Sequence, residues 1–185
     1  MRNLKLTIRY DGTDFHGWQT QPGLRTVQET VEAAIAAITR EERVRVNCAG
    51  RTDSGVHAHG QVGNVFTATR LDPAKLVKAV NSQLPDDVTV LECEVVGQAF
   101  CANKGAVAKR YRYVINDSRI PDPFLRRYAY QPRRNVDHEA MHRAAQVLLG
   151  RHDFRCFETE WPNRLTSIRT IQDIAVTRRI DDGFF

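Results

Sequence analysis

Four cysteines in 185 residues (Cys48, Cys93, Cys101, Cys156) are scattered without a CxxC pair. That excludes a disulfide framework or a zinc knuckle built on them, and they read as small buried or half-buried side chains. With 7 Pro and 11 Gly the chain is neither collagenous nor low-complexity. No apolar run approaches the roughly 20 residues of a membrane span. The opening MRNLKLTIRYDG alternates where a secretory signal would be continuously apolar, so the expected location is cytoplasmic. Lysine is scarce too: of 27 basic residues only 5 are Lys and 22 are Arg.

What is present is a globular composition, 42% hydrophobic and 26% charged, long enough for one domain or two small ones with a real core. The net charge of +5 is unevenly placed. Residues 104–134 hold nine basic side chains (Lys104, Lys109, Arg110, Arg112, Arg119, Arg126, Arg127, Arg133, Arg134) against Asp117 and Asp122, a local +7 that leaves −2 elsewhere. Arginine offers a planar fork that pairs with phosphate and stacks on bases, so the segment fits a nucleic-acid surface. A solvated basic face is the plain alternative.

Periodicity supplies the elements. Leu4, Leu6, Ile8 and Tyr10 alternate as a strand ended by Asp11-Gly12. Thr26-Val27-Gln28-Glu29 reads as a capping box before a helix with Val27, Val31, Ala34, Ile35 and Ile38 on one face. Val44, Val46 and Cys48 begin a second strand, and Gln61 to Thr67 fits a third. Asp72-Pro73 starts a helix, and Val88 to Val96 a further strand. The order β-α-β-β-α-β over residues 1–96 is the split βαβ arrangement of a ferredoxin-like sheet. Residues 97–185 begin a second series: strands at Gln98 to Asn103, Arg110 to Asn116 and Ile171 to Arg178, and a helix capped by Asp137 with Met141, Ala144, Ala145 and Leu148 inward. The chain stops after Asp182-Gly183-Phe184-Phe185, which reads as a hairpin just begun. The second half is therefore expected to be incomplete, or completed by a partner.

The stretch GRTDSGVHAHG, residues 50–60, concentrates polar groups between two strands, where a rigid sheet commonly positions reactive residues. Asp53 is its one carboxylate. Arg51 lies two residues away, and a cation beside a carboxylate keeps it ionised, fit to act as nucleophile or base. His57 and His59 lack a third ligand at a characteristic spacing, so they read as hydrogen-bonding or packing histidines, and no metal is expected.

Taken whole, GRTDSGVHA resembles the signature of the TruA family of tRNA pseudouridine synthases, with Ser54 where alanine is usual. Tyr10-Asp11-Gly12-Thr13 through Gly17-Trp18-Gln19 is similar to the family's Y-D-G-T…G-W-Q block, and Thr26-Val27-Gln28-Glu29 to its helix start. Asn81, Leu84 and Pro85 match N-x-x-L-P, and Lys109-Arg110-Tyr111-Arg112-Tyr113 the R-R/K-Y-R-Y block. Leu149-Gly150, His152-Asp153-Phe154 and Phe157 match L-G-x-H-D-F-x-x-F, and Arg169-Thr170-Ile171 matches R-T-I. The blocks fall in the family's order along nearly the whole chain.

The resemblance implies an α+β fold: two ferredoxin-like halves, residues 1–96 and 97–185, with mostly antiparallel sheets side by side, helices on one face and the active-site cleft between them. It implies an isomerase that converts uridine to pseudouridine at positions 38, 39 and 40 of the tRNA anticodon stem-loop, as a homodimer and without cofactor. The family's nucleophile falls on Asp53, the arginine that holds the target base out of the stack on Arg51, and the tyrosine that stacks on that base on Tyr111. Lys109, Arg110, Arg112, Arg126 and Arg127 are the RNA-contacting candidates. Two departures stand out: Asn103 and Gly105 replace a usual arginine and serine, and the family's later V-R-N block, whose arginine lies beside the catalytic aspartate, has no counterpart here. A catalytically impaired tRNA-binding remnant is the alternative reading.

Overall fold

The alternating apolar residues of the first segment build a four-stranded sheet with two helices. In the computed structural model, which describes residues 1–158 and 166–179, the elements are β1 (Arg2–Tyr10), α1 (Val27–Thr39), β2 (Val46–Cys48), β3 (Ala58–Thr67), α2 (Pro73–Asn81) and β4 (Val88–Val96). The sheet order is β2-β3-β1-β4, and every neighbouring pair is antiparallel. Helix α1 thus carries the chain from β1 across β3 to β2, the split βαβ connection expected for residues 1–96. Leu4, Leu6, Ile8 and Tyr10 of β1 enter one core with Val27, Val31 and Ile35 of α1 and Leu76 and Val80 of α2, so both helices cover the same face. Each fully buried side chain of this size contributes about 1.5–3 kcal/mol. The compact unit runs from Met1 to Tyr111 and a second from Arg112 to Phe185.

Helix caps divide into those the local sequence makes and those the fold makes. Asp72 accepts from the N–H groups of Ala74 and Lys75 at the start of α2, as expected from Asp-Pro. The expected capping box of α1 does not form: Thr26 makes no side-chain cap, and its buried Oγ1 has no partner. The first N–H groups of that helix instead reach the carbonyls of Gly17 and Trp18, at 3.2 and 3.0 Å. Asn81 closes α2 onto β4 by exchanging two hydrogen bonds with the Val90 backbone, which gives the asparagine of N-x-x-L-P a physical task.

The expected strand at Gln98 to Asn103 is a run of turns. Buried Asn3 donates to the carbonyls of Gly97 and Phe100 (3.1 and 2.9 Å), and buried Asn64 accepts from Ala102 N–H at 3.0 Å. Two asparagine side chains thus take the backbone groups that a strand ladder would use.

In the second unit, helix α3 (His138–Ala145) starts where expected, with Asp137 accepting from Ala140 N–H at 2.9 Å. None of its residues is fully buried, and Ala144 is exposed, so the expected inward face is only half-covered. Strands β5 (Gly150–Asp153) and β6 (Ile168–Ile171) pair antiparallel. Beyond Ile171 the expected strand to Arg178 is irregular. Side chains hold it there: Val176 N–H donates to His142 Nδ1, Gln146 to the Ile174 carbonyl, and Arg178 to Asp117. The expected strand at Arg110 to Asn116 reduces to one bridge, Ile115 to Tyr130, and Tyr111 and Tyr113 are exposed rather than sharing a buried face. The expected turn and aromatics at 182–185 lie outside the described residues. Among the described residues no helix is long and apolar enough to cross a membrane; the cysteines are free, Cys156 exposed rather than half-buried.

Candidate active site

Strands β2 and β3 hold the polar loop between them, and the chain after β1 holds its middle. Trp18 N–H donates to the Thr52 carbonyl at 3.0 Å, and Gly55 N–H to the Phe15 carbonyl at 3.2 Å. Tyr10 Oη and Thr52 Oγ1 share a hydrogen bond of 2.8 Å, and Ser54 Oγ donates to the Phe15 carbonyl. Gly17 has φ +82°, and a Cβ there would stand 2.7 Å from the Thr52 carbonyl oxygen, so only glycine provides both the conformation and the approach. Gly12 lies against the Val56 carbonyl in the same way. The Y-D-G-T…G-W-Q block is therefore a cradle for the loop that bears Asp53.

The loop's two ends are fixed separately. At the far end, His57 Nδ1 lies 3.1 Å from Gly12 N–H and 2.9 Å from Asp11 Oδ1. Unprotonated it accepts from the glycine; protonated it donates to the carboxylate; either contact holds His57 to the end of β1. At the near end, Gln61 of β3 donates to the Gly50 carbonyl, and the Lys109 side chain packs on the bare Cα of Gly50. Burial pushes the Tyr10 phenol up from its ordinary value, against hydrogen bonds from Thr52 and Gln61, so Tyr10 is a neutral hydrogen-bonding post at physiological pH. Burial likewise pushes the Cys48 thiol up, while the cations Arg51 and Lys109 pull it the other way.

Within this cradle Asp53 is exposed. Its backbone carbonyl accepts from Val56 N–H, and its carboxylate makes no hydrogen bond or ion pair among the described residues. The expected Arg51–Asp53 ion pair is not formed among the described residues; both side chains are exposed. Of the sequence candidates, Lys109 comes to the base of the loop, one residue from Arg51. Tyr111 is 74% exposed, leaving its ring open for a stacking partner. Arg110, Arg112, Arg126 and Arg127 are exposed, Arg126 donating to the Pro123 carbonyl. No group of three His, Cys, Asp or Glu side chains suited to a metal occurs among the described residues.

An α+β scaffold that clamps a loop at both ends, leaves its one carboxylate open and carries a lysine at the loop's base has the makings of an enzyme for a polyanionic substrate. Comparison with known proteins gives the family. Residues 6–104 match the family described as tRNA pseudouridine synthase. The chain is 44% identical over 178 residues to the tRNA pseudouridine synthase A of Acetivibrio thermocellus, covering 96% of this chain and 72% of that protein. It is 40% identical over 181 residues to the tRNA pseudouridine synthase A of a Thermoanaerobacter species, covering 98% and 74%. It is 42% identical over 185 residues to that of Halalkalibacterium halodurans, covering 100% and 70%. The chain belongs to the tRNA pseudouridine synthase family, a family of isomerases.

The sequence reading missed the cradle's workings. Tyr10, Gly17 and Trp18 stood in a recognised block, but nothing in that block said which loop they support. Gln61 and the Lys109–Gly50 contact carried no local signal at all.

Proposed function

We propose that this chain isomerises uridine to pseudouridine in the anticodon stem-loop of tRNA, at positions 38, 39 and 40, with Asp53 as nucleophile and without cofactor. The observation that carries the reading is the clamped loop 50–57, whose carboxylate is open and unpaired. In the proposed reaction Asp53 assists rupture of the bond between ribose C1′ and uracil N1. The uracil then turns, a C1′–C5 bond forms, and the C5 proton is lost. Tyr111 stacks on the extruded base, an aromatic platform of the kind single-stranded bases use. Arg51 helps hold the base out of the stack, offsetting an extrusion cost of a few kcal/mol. Lys109, Arg110, Arg112, Arg126 and Arg127 contact the RNA backbone, as their charge and exposure favour.

The proposed organisation is two ferredoxin-like halves, residues 1–96 with the catalytic loop and 97–185 with Tyr111 and the basic segment, working in the cytoplasm as a homodimer. The split βαβ sheet supports the first half; the antiparallel pair β5–β6 with α3 is consistent with the second.

Tritium release from tRNA labelled at uridine C5 tests the reading. The parent chain is expected to release label. Asp53→Ala is expected to lower release by at least about 10³-fold while tRNA binding persists. Release by the variant at the parent rate overturns Asp53 as nucleophile; binding by the parent without release favours a tRNA-binding remnant.

A further inference from the structure

Two cations meet at the base of the catalytic loop without a counter-ion. The Lys109 side chain lies with its terminal carbons and ammonium against Gly50, where an added Cβ would stand 2.9 Å from Cε. Arg51 is the next residue. Neither makes an ion pair or hydrogen bond among the described residues, whereas Arg25 and Arg178 each grip a carboxylate through two nitrogens. The charges of Arg51 and Lys109 both reach the Cys48 thiol at the start of the loop. Neighbouring like charges repel. Residue 50 has no side chain, which leaves room beside it for the end of the Lys109 side chain.

We propose that Lys109 and Arg51 form a two-cation clamp for a single phosphate of the RNA substrate, next to the nucleotide presented to Asp53. A phosphodiester shares one negative charge over two non-bridging oxygens. Lysine can meet one as a point charge and arginine the other through its fork. Gly50 leaves open the space into which the end of the Lys109 side chain reaches, next to the loop residue that carries the arginine. The inference rests on the reading of this chain as one that acts on tRNA.

Equilibrium binding of unmodified tRNA, from about 50 to about 200 mM salt, tests it. Each phosphate neutralised contributes about 0.7–0.9 to the slope of log K against log salt. Lys109→Met keeps the stem and removes the charge; it is expected to weaken binding about tenfold and remove most of one such increment. Gly50→Ala displaces only the flexible end of the Lys109 side chain and keeps both charges, and is expected to cost less than Lys109→Met. The double variant Arg51→Met/Lys109→Met is expected to lose one increment in total and to bind little worse than the weaker single variant. Thermal unfolding at the parent midpoint confirms that each variant is folded.

A parent-like slope for Lys109→Met, with tight binding by the parent, overturns the clamp and leaves the function standing. Two full increments lost in the double variant also overturn it, since they mean two separate phosphates. A parent chain that does not bind tRNA overturns the functional reading along with the clamp.

Discussion

In residues 1–111 most large side chains of the sheet and helices are covered: Phe15 and Trp18 are each 1% exposed, and Leu4 and Ile8 are fully buried, with the open Tyr111 at the end of that span. In residues 112–179 they are not, with Ile120 at 82%, Phe124 at 73% and Tyr130 at 70% exposed, and Ser167 is the only buried residue among those described. The first unit is ordered by apolar packing around a sheet. The second is ordered largely by polar side chains reaching backbone, as with Asp137 at α3, His142 to Val176 and Asp117 to Val136. A carboxylate that must hold its aim belongs on the first kind of structure; aromatic groups that meet a partner, Tyr111 at the end of the first unit among them, belong where they stay uncovered.

The sharpest way to break that contrast is to truncate one large side chain in each unit. Trp18→Ala removes a buried aromatic and is expected to cost about 3–5 kcal/mol. Phe124→Ala is expected to change stability by less than about 0.5 kcal/mol. Denaturant unfolding measures both, and similar costs would mean that the two units are not built differently. Gly17→Ala comes next. At φ +82°, against the Thr52 carbonyl, it is expected to cost about 1–3 kcal/mol and to lower kcat more than it raises KM, since it displaces the loop and touches no RNA contact. Tyr10→Phe removes only the hydroxyl that meets Thr52 and is expected to cost about 0.5–1.5 kcal/mol, with a several-fold fall in kcat at unaltered tRNA binding.

The smallest expected effect sharpens the second unit. Hydrogen bonds from Arg178, and from Val136 N–H, hold the Asp117 carboxyl well below the usual carboxylate range. A depressed folded-state pKa gives stability that is present above the unfolded value, about 3.9, and is lost as pH falls further. Protection of the Val136 amide against hydrogen exchange is therefore expected to decline from about pH 4 downward, while the amides of Leu6 and Ile8 stay protected. Equal loss at both places would mean that this ion pair does not govern the local order.

The same division decides what the sequence made legible. Where side chains pack with a period, as at Leu4, Leu6, Ile8 and Tyr10 or at Val27, Val31 and Ile35, the alternation and the helical spacing located the elements of the first sheet closely. Where backbone groups are satisfied by side chains distant in sequence, periodicity misled. Asn3 and Asn64 turn 97–102 away from a strand, and His142, Gln146 and Asp117 do the same for 172–178. Apolar alternation at Tyr111, Tyr113 and Ile115 looked like a strand face because exposed aromatics and core aromatics are alike in sequence. In the candidate site, the polar loop that bears Asp53 was legible from its composition and its block. The Arg51 ion pair was not a safe inference from a spacing of two, since neighbours in a loop readily point apart. Gln61 and Lys109 reach Gly50 across the fold, through contacts that only folded coordinates reveal.

The main-chain bonds between residues 15–18 and 52–55, with the start of α1 resting on Gly17 and Trp18, bear on kinetics. A loop stitched to its neighbours by main-chain bonds is built as an anvil rather than a jaw. In the proposed reaction the travelling therefore falls to the RNA, whose nucleotide must leave its stack and come to a stationary carboxylate. Turnover on different tRNAs should then rank by how readily each anticodon arm unstacks, a property of the substrate that the enzyme reads by standing still.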